Sequence, residues 1–174
     1  YYASQFLFRS RDQGDSWERI SPDLTTNDPA KQKQDESGGL TLDSSTAENH
    51  CTIFSIAESP RNKDVLWVGT DDGNLQVTRD GGATFSTPET GHDKHSDNHA
   101  LVIDPAHGRH LIVGTDSGVY ESFDEGKTWR HFPNLPVSQF YKVALNNREP
   151  FYDVLGGAQD LGTLHGPSRT TNRD

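Results

Sequence analysis

Cysteine appears once in 174 residues and methionine not at all. With Cys51 alone no intrachain disulfide can form, and a cysteine-based zinc site is not expected. The first residue is Tyr1 rather than Met, so it is expected not to be the translation start. Long apolar runs are missing too: nothing approaches the ~18 residues of a membrane-spanning helix. Positive charge is scarce, with Lys+Arg 16 against Asp+Glu 26 and a formal net charge of −10. No basic patch can therefore offset phosphate repulsion, which excludes nucleic acid as a partner and disfavours anionic membrane surfaces. Hydrophobic residues make up only 30%, which suits long helices poorly, and no Gly-x-x-x-x-Gly-Lys phosphate loop occurs. The plentiful Gly, Pro, Asp, Ser and Thr suit many short strands joined by polar turns.

What the chain does have is repetition. Val68-Gly69-Thr70-Asp71-Asp72-Gly73 is echoed by Val113-Gly114-Thr115-Asp116-Ser117-Gly118, and in part by Gln159-Asp160-Leu161-Gly162. Pro60, Pro105 and Pro150 fall at the same step. A period of about 44–45 residues is that of a repeat architecture. Each step carries short alternating segments that read as strands: 52–57, 65–69, 75–78 and the start of a fourth at 84–85 in one repeat. The next repeat reads 99–104, 110–114, 119–123 and 128–132, and a further one begins with 140–145 and 151–156. Four antiparallel strands per repeat of this size make one β-propeller blade. The predicted fold is therefore all-β, a partial ring of about three to four blades. Residues 1–21 would end one blade and 22–50 would form a long polar loop. Residues 51–94 and 95–136 would be complete blades, and 137–174 would start another. Alone, such a segment would expose strand edges, so it is expected to belong to a longer propeller chain or to close a ring with other subunits.

One octapeptide occurs three times, as Ser/Thr-x-Asp-x-Gly-x-Thr/Ser-Trp/Phe. Its copies hold Asp12, Gly14 and Trp17; Asp80, Gly82 and Phe85; and Asp124, Gly126 and Trp129. The pattern suits a tight hairpin: the carboxylate accepts backbone N–H groups, glycine supplies a positive φ, and the ring packs into the sheet. These nine residues are assigned structural roles. The pattern resembles the Asp-box, or BNR repeat, of sialidase-like and sortilin-like (Vps10-type) propellers. Together with Asp97-Asn98-His99-Ala100-Leu101, Gly156-Gly157-Ala158-Gln159-Asp160-Leu161-Gly162 and Gly166-Pro167-Ser168-Arg169, it is similar to large secreted bacterial BNR-repeat proteins described as glycosyl-hydrolase-like. The resemblance implies extracellular, periplasmic or cell-envelope placement. It also implies that the octapeptides face away from any ligand site.

Blade topology puts the hairpins between second and third strands on one face with the loops entering first strands. Asp71, Asp116 and Asp160 belong to the first group, and His92, Asp93, His95, Asp97 and His99 to the second. His95, Asp97, His99, Gln159 and Asp160 are the candidate ligand-binding residues. Thr70-Asp71-Asp72-Gly73 and Thr115-Asp116-Ser117-Gly118 also resemble the catalytic turn of xyloglucan-type endoglucanases of paired-propeller design, which makes Asp71 and Asp116 the candidate catalytic residues. A second carboxyl about 6.5–9.5 Å away would complete an inverting pair. No cofactor and no metal is expected; the alternating His95, Asp97 and His99 are the weak candidates for a transition-metal set. Three readings of function follow. The first is a secreted module binding a glycan or protein ligand on its channel face. The second is an inverting, xyloglucanase-like glycoside hydrolase, and the third a structural component of an extracellular assembly.

Overall fold

Alternation of side chains along short strands turns each repeat into one antiparallel sheet. The computed structural model describes residues 1–33, 36, 50–90, 93–135, 140–158 and 162–169. They fall into two units, Tyr1–Phe132 and Pro133–Asp174. The first unit holds three sheets. The first sheet is β1 (Tyr2–Ala3), β2 (Leu7–Arg9) and β3 (Glu18–Arg19); the second is β4 (Ile53–Ser59), β5 (Asn62–Thr70) and β6 (Leu75–Thr78). The third comprises β7 (Ala100–Ile103), β8 (Leu111–Thr115), β9 (Gly118–Ser122) and β10 (Arg130–His131). Every sheet is an antiparallel meander in chain order, and no α-helix occurs among the described residues. The fold is all-β and is that of a partial β-propeller. No helix among the described residues is long and apolar enough to cross a membrane.

The middle sheet is buried on both faces, and β5 shows why its sequence reads as a nearly unbroken apolar run. Successive side chains alternate across it. Leu66 and Val68 pack with Leu7, Ile20, Leu24 and Ile53 on one side. Trp67 packs on the other with Leu75, Val77, Ile103, Leu111, Val113, Tyr120 and Trp129. Leu66 and Leu111 are fully buried; truncating either to Ala costs on the order of 2–5 kcal/mol. Trp67, expected in the core from its repeat position, is 2% exposed.

In the second and third sheets the octapeptides lie at the end opposite the Thr-Asp-x-Gly turns, and in the first one joins β2 to β3. All three make the same bonds. The hydroxyls of Ser10, Thr78 and Ser122 donate to Asp12, Asp80 and Asp124 at 2.8, 2.7 and 2.9 Å. The same hydroxyl oxygens accept the N–H of Gly14, Gly82 and Gly126 at 2.7, 2.9 and 2.9 Å. Each carboxylate also takes the backbone N–H and the hydroxyl of Ser16, Thr84 or Thr128. The turns also join neighbouring sheets. Arg9 donates to the Gly81 carbonyl, and Arg79 pairs with Glu125 at 2.8 Å.

Three features depart from expectation. Trp17 is 48% exposed, whereas packing between strands was expected. It lies edge-on to Tyr2, which is exposed as well. Residues 84–85 do not start a regular fourth strand in the second sheet; Val77 and Ser86 form an isolated bridge instead. The described start of the 22–50 loop, expected only to be polar, is docked on the second sheet. Leu24 is buried, and its carbonyl accepts Asn74 Nδ2 at 3.0 Å and Gln76 Nε2 at 2.6 Å.

The second unit is a three-stranded meander of β11 (Phe140–Leu145), β12 (Asp153–Ala158) and β13 (Gly162–Pro167). Buried Asp153 anchors the β11–β12 connection. Its N–H donates to Asn146 Oδ1 and its carboxylate accepts Asn146 Nδ2, both at 2.8 Å.

Candidate functional site

Two Thr-Asp-x-Gly turns and the segments entering two first strands build the candidate site. The β5–β6 turn reverses through Gly73, whose φ of +98° suits glycine, and the β8–β9 turn through Gly118 at +110°. Segment 97–99 runs between them. Asp97 N–H donates to the Asp71 carbonyl at 3.2 Å and Asn98 N–H to the Thr70 carbonyl at 3.2 Å. One residue on, His99 N–H donates to the Gly114 carbonyl at 3.0 Å. Asn98 is fully buried, and its Nδ2 donates to the Thr70 carbonyl at 3.1 Å. Gly69 allows this approach, since a Cβ there would lie 2.5 Å from that of Asn98.

The two candidate catalytic carboxylates meet different surroundings. Asp71 is 7% exposed. Its Oδ1 accepts Thr52 N–H at 2.7 Å, and its own N–H donates to the Thr52 carbonyl at 3.0 Å. Burial raises its pKa above the ordinary carboxylate value, with the neighbouring Asp72 charge acting in the same direction, against the Thr52 hydrogen bond. Asp116 lies 2.7 Å from His99 Nε2. The His99 ring stacks on Phe54 with centroids 5.1 Å apart.

Asp72 accepts several hydrogen bonds. Burial alone would raise its pKa, but hydrogen bonds from Thr70, Thr26 and Cys51 outweigh that and hold it low. Thr26 donates to Asp72 Oδ2 through its N–H at 2.6 Å and its hydroxyl at 2.9 Å. His95 and Asp97 form a separate pair, with Nδ1 and Oδ2 3.3 Å apart. Asp97 sits at φ +46° and accepts the Ser96 hydroxyl.

His99 thus joins Asp116, while His95 joins Asp97; the three alternating residues do not gather as one ligand set. Among the described residues, the group of potential metal ligands that does gather is His50, Cys51 and Asp72, with ligand atoms all within 4.8 Å of one another. Gln159, Asp160 and His92 lie outside the described residues. Lys94 was not anticipated: its side chain is buried 3.8 Å from Glu89, and desolvation lowers its pKa. No sequence pattern marks it. His50-Cys51 does have a signal, since it precedes its first strand much as His95 precedes the next.

Among curated proteins, the chain is similar to the oligoxyloglucan-reducing end-specific xyloglucanase of Emericella nidulans. It is 32% identical over 88 residues, covering 47% of this chain. The chain spans 11% of that relative's length. Similar solved structures include the Niastella koreensis GH74 enzyme, 19% identical, covering 59% of this chain and 17% of that one, with a TM-score of 0.43. The Xanthomonas campestris GH74 xyloglucanase is 20% identical over 64% of this chain and 19% of its own, at a TM-score of 0.41. YCF48 bound to a D1 peptide is 16% identical over 96% of this chain and 46% of its own, at 0.48. No family model matches the sequence.

Proposed function

We propose that the edge carrying Asp71 and Asp116 binds and hydrolyses a β-linked glycan of the xyloglucan class, as part of a longer propeller. The observation that carries this is the split between two carboxyls in sequence-equivalent turns. Burial that raises a carboxyl's pKa suits it to the role of general acid, and the partner carboxylate to that of base. Asp71 is the acid: it protonates the departing glycosidic oxygen. Asp116, oriented by His99, takes a proton from the water that attacks the anomeric carbon, so configuration inverts. The 32% identity to a xyloglucanase over 88 residues supports the substrate class. Because a polymeric glycan does not cross membranes, an enzyme of this kind works outside the cytoplasm.

Release of reducing ends from xyloglucan oligosaccharides tests the assignment. Asp71→Asn and Asp116→Asn should each lower turnover by at least ~100-fold, the lower range for loss of a general acid or base, with the fold retained by circular dichroism. Turnover equal to the parent in both variants would remove these residues. The second reading is a glycan-binding module, favoured by the His99–Phe54 stack beside Asp116. It predicts xyloglucan binding without turnover, weakened by Phe54→Ala.

A further inference from the structure

Where the chain enters β4, it passes over the β5–β6 turn and brings His50, Cys51 and Asp72 together, with one potential ligand atom from each within 4.8 Å of the others. Imidazole, thiolate and carboxylate together suit a borderline-soft divalent ion, zinc above all. Tetrahedral bonds of about 2.0–2.3 Å place ligand atoms about 3.3–3.8 Å apart, so only a small contraction is required. A second observation points the same way: His50 Nε2 is buried and has no hydrogen-bond partner. A buried, unpaired ring nitrogen costs free energy unless something occupies it. The carboxylate is also held ready. Thr26 N–H and its hydroxyl both donate to Asp72 Oδ2, and the Thr70 hydroxyl donates to Oδ1. Such outer donors orient ligands at metal centres.

We propose that His50, Cys51 and Asp72 form a three-ligand site for a divalent transition metal such as zinc. The thiol proton leaves to solvent as the sulfur binds the ion. The thiol–carboxylate hydrogen bond between Cys51 and Asp72 is thereby replaced by a shared cation. The site ties the chain before β4 to the β5–β6 turn, and so braces Asp71 independently of any catalytic role.

Cobalt(II) titration of the purified protein tests this. Cys51 is the only cysteine, so a thiolate-to-cobalt charge-transfer band in the near ultraviolet reports this site and no other. The site predicts a saturable band at one equivalent, abolished by zinc and absent in Cys51→Ser. His50→Ala and Asp72→Asn should weaken cobalt affinity by at least ~10-fold, and Thr26→Ala, which keeps every ligand, by about 10-fold. No band at saturating cobalt would overturn the proposal. So would a band of unchanged affinity in both His50→Ala and Asp72→Asn, since Cys51 would then be a thiol taking up metal alone.

Discussion

The two ends of the second and third sheets use nearly the same chemistry, an aspartate and a glycine in a tight reversal, and put it to different ends. At one end, Asp12, Asp80 and Asp124 repeat the same three carboxylate bonds, and hydrogen bonding to neighbouring hydroxyls and N–H groups lowers all three to a pKa of about 2. Their oxygens are committed to the turn. At the other end, Asp71 and Asp116 sit in equivalent turns but differ: burial raises Asp71, while Asp116 pairs with His99. A repeated bond pattern marks a part of the scaffold, and divergence at matched positions marks where a site can be built.

That contrast can be stressed from several directions. The largest effect is expected from glycine replacement. Gly82 has φ +106°, and a Cβ there would lie 2.7 Å from the Ile20 carbonyl oxygen. Gly82→Ala should cost ~3 kcal/mol, combining overpacking with left-handed strain. Gly118 has φ +110°, but its Cβ would meet only the His131 ring, at 3.3 Å. Gly118→Ala should cost about 1–2 kcal/mol. Denaturant midpoints compare the two, and a reversed order would mean that the octapeptide end is the more yielding.

A smaller but opposite-signed pair comes from neutralising the acids. Asp80→Asn removes an anion whose folded form is favoured, so the thermal midpoint at neutral pH should fall. Asp71→Asn removes a group that is penalised when ionised, while Asn can still accept Thr52 N–H, so the midpoint should hold or rise. A fall of equal size in both would erase the distinction.

The mildest perturbation is acid itself. Asp12, Asp80 and Asp124 have folded pKa values of about 2 against an ordinary 3.8. Depressed acids contribute stability that is fully present above the unfolded value and is lost as pH falls through the folded one. Urea midpoints should therefore decline between pH 3.8 and about 2. Asp71 works the other way: its raised pKa favours the fold at low pH and opposes it as pH rises past 3.8. In Asp71→Asn the acid decline should therefore begin from a higher plateau.

The repeat made much of this legible from sequence. Spacing located the blade-like sheets, and the octapeptides announced their own turns because every bond in them is local. The Asp71 and Asp116 turns were found for the same reason. Non-local pairings were not legible. Nothing near Asp72 in sequence indicates that Thr26 donates to it across 46 residues, or that Leu24 is buried under the same turn. Trp17 was misjudged because an octapeptide specifies where its ring points and not whether another sheet covers that face. His95, Asp97 and His99 alternate as a strand would, but Asp97 at φ +46° leaves the extended conformation and separates them.

The most direct test of the contrast between the two ends is a titration of the aspartate side-chain carboxyl carbons followed by NMR. The account predicts that Asp12, Asp80 and Asp124 titrate near 2 and Asp71 above 3.8. If Asp71 titrated with the other three, it would be a fourth turn carboxylate, and the assignment of a general acid to this edge would fail.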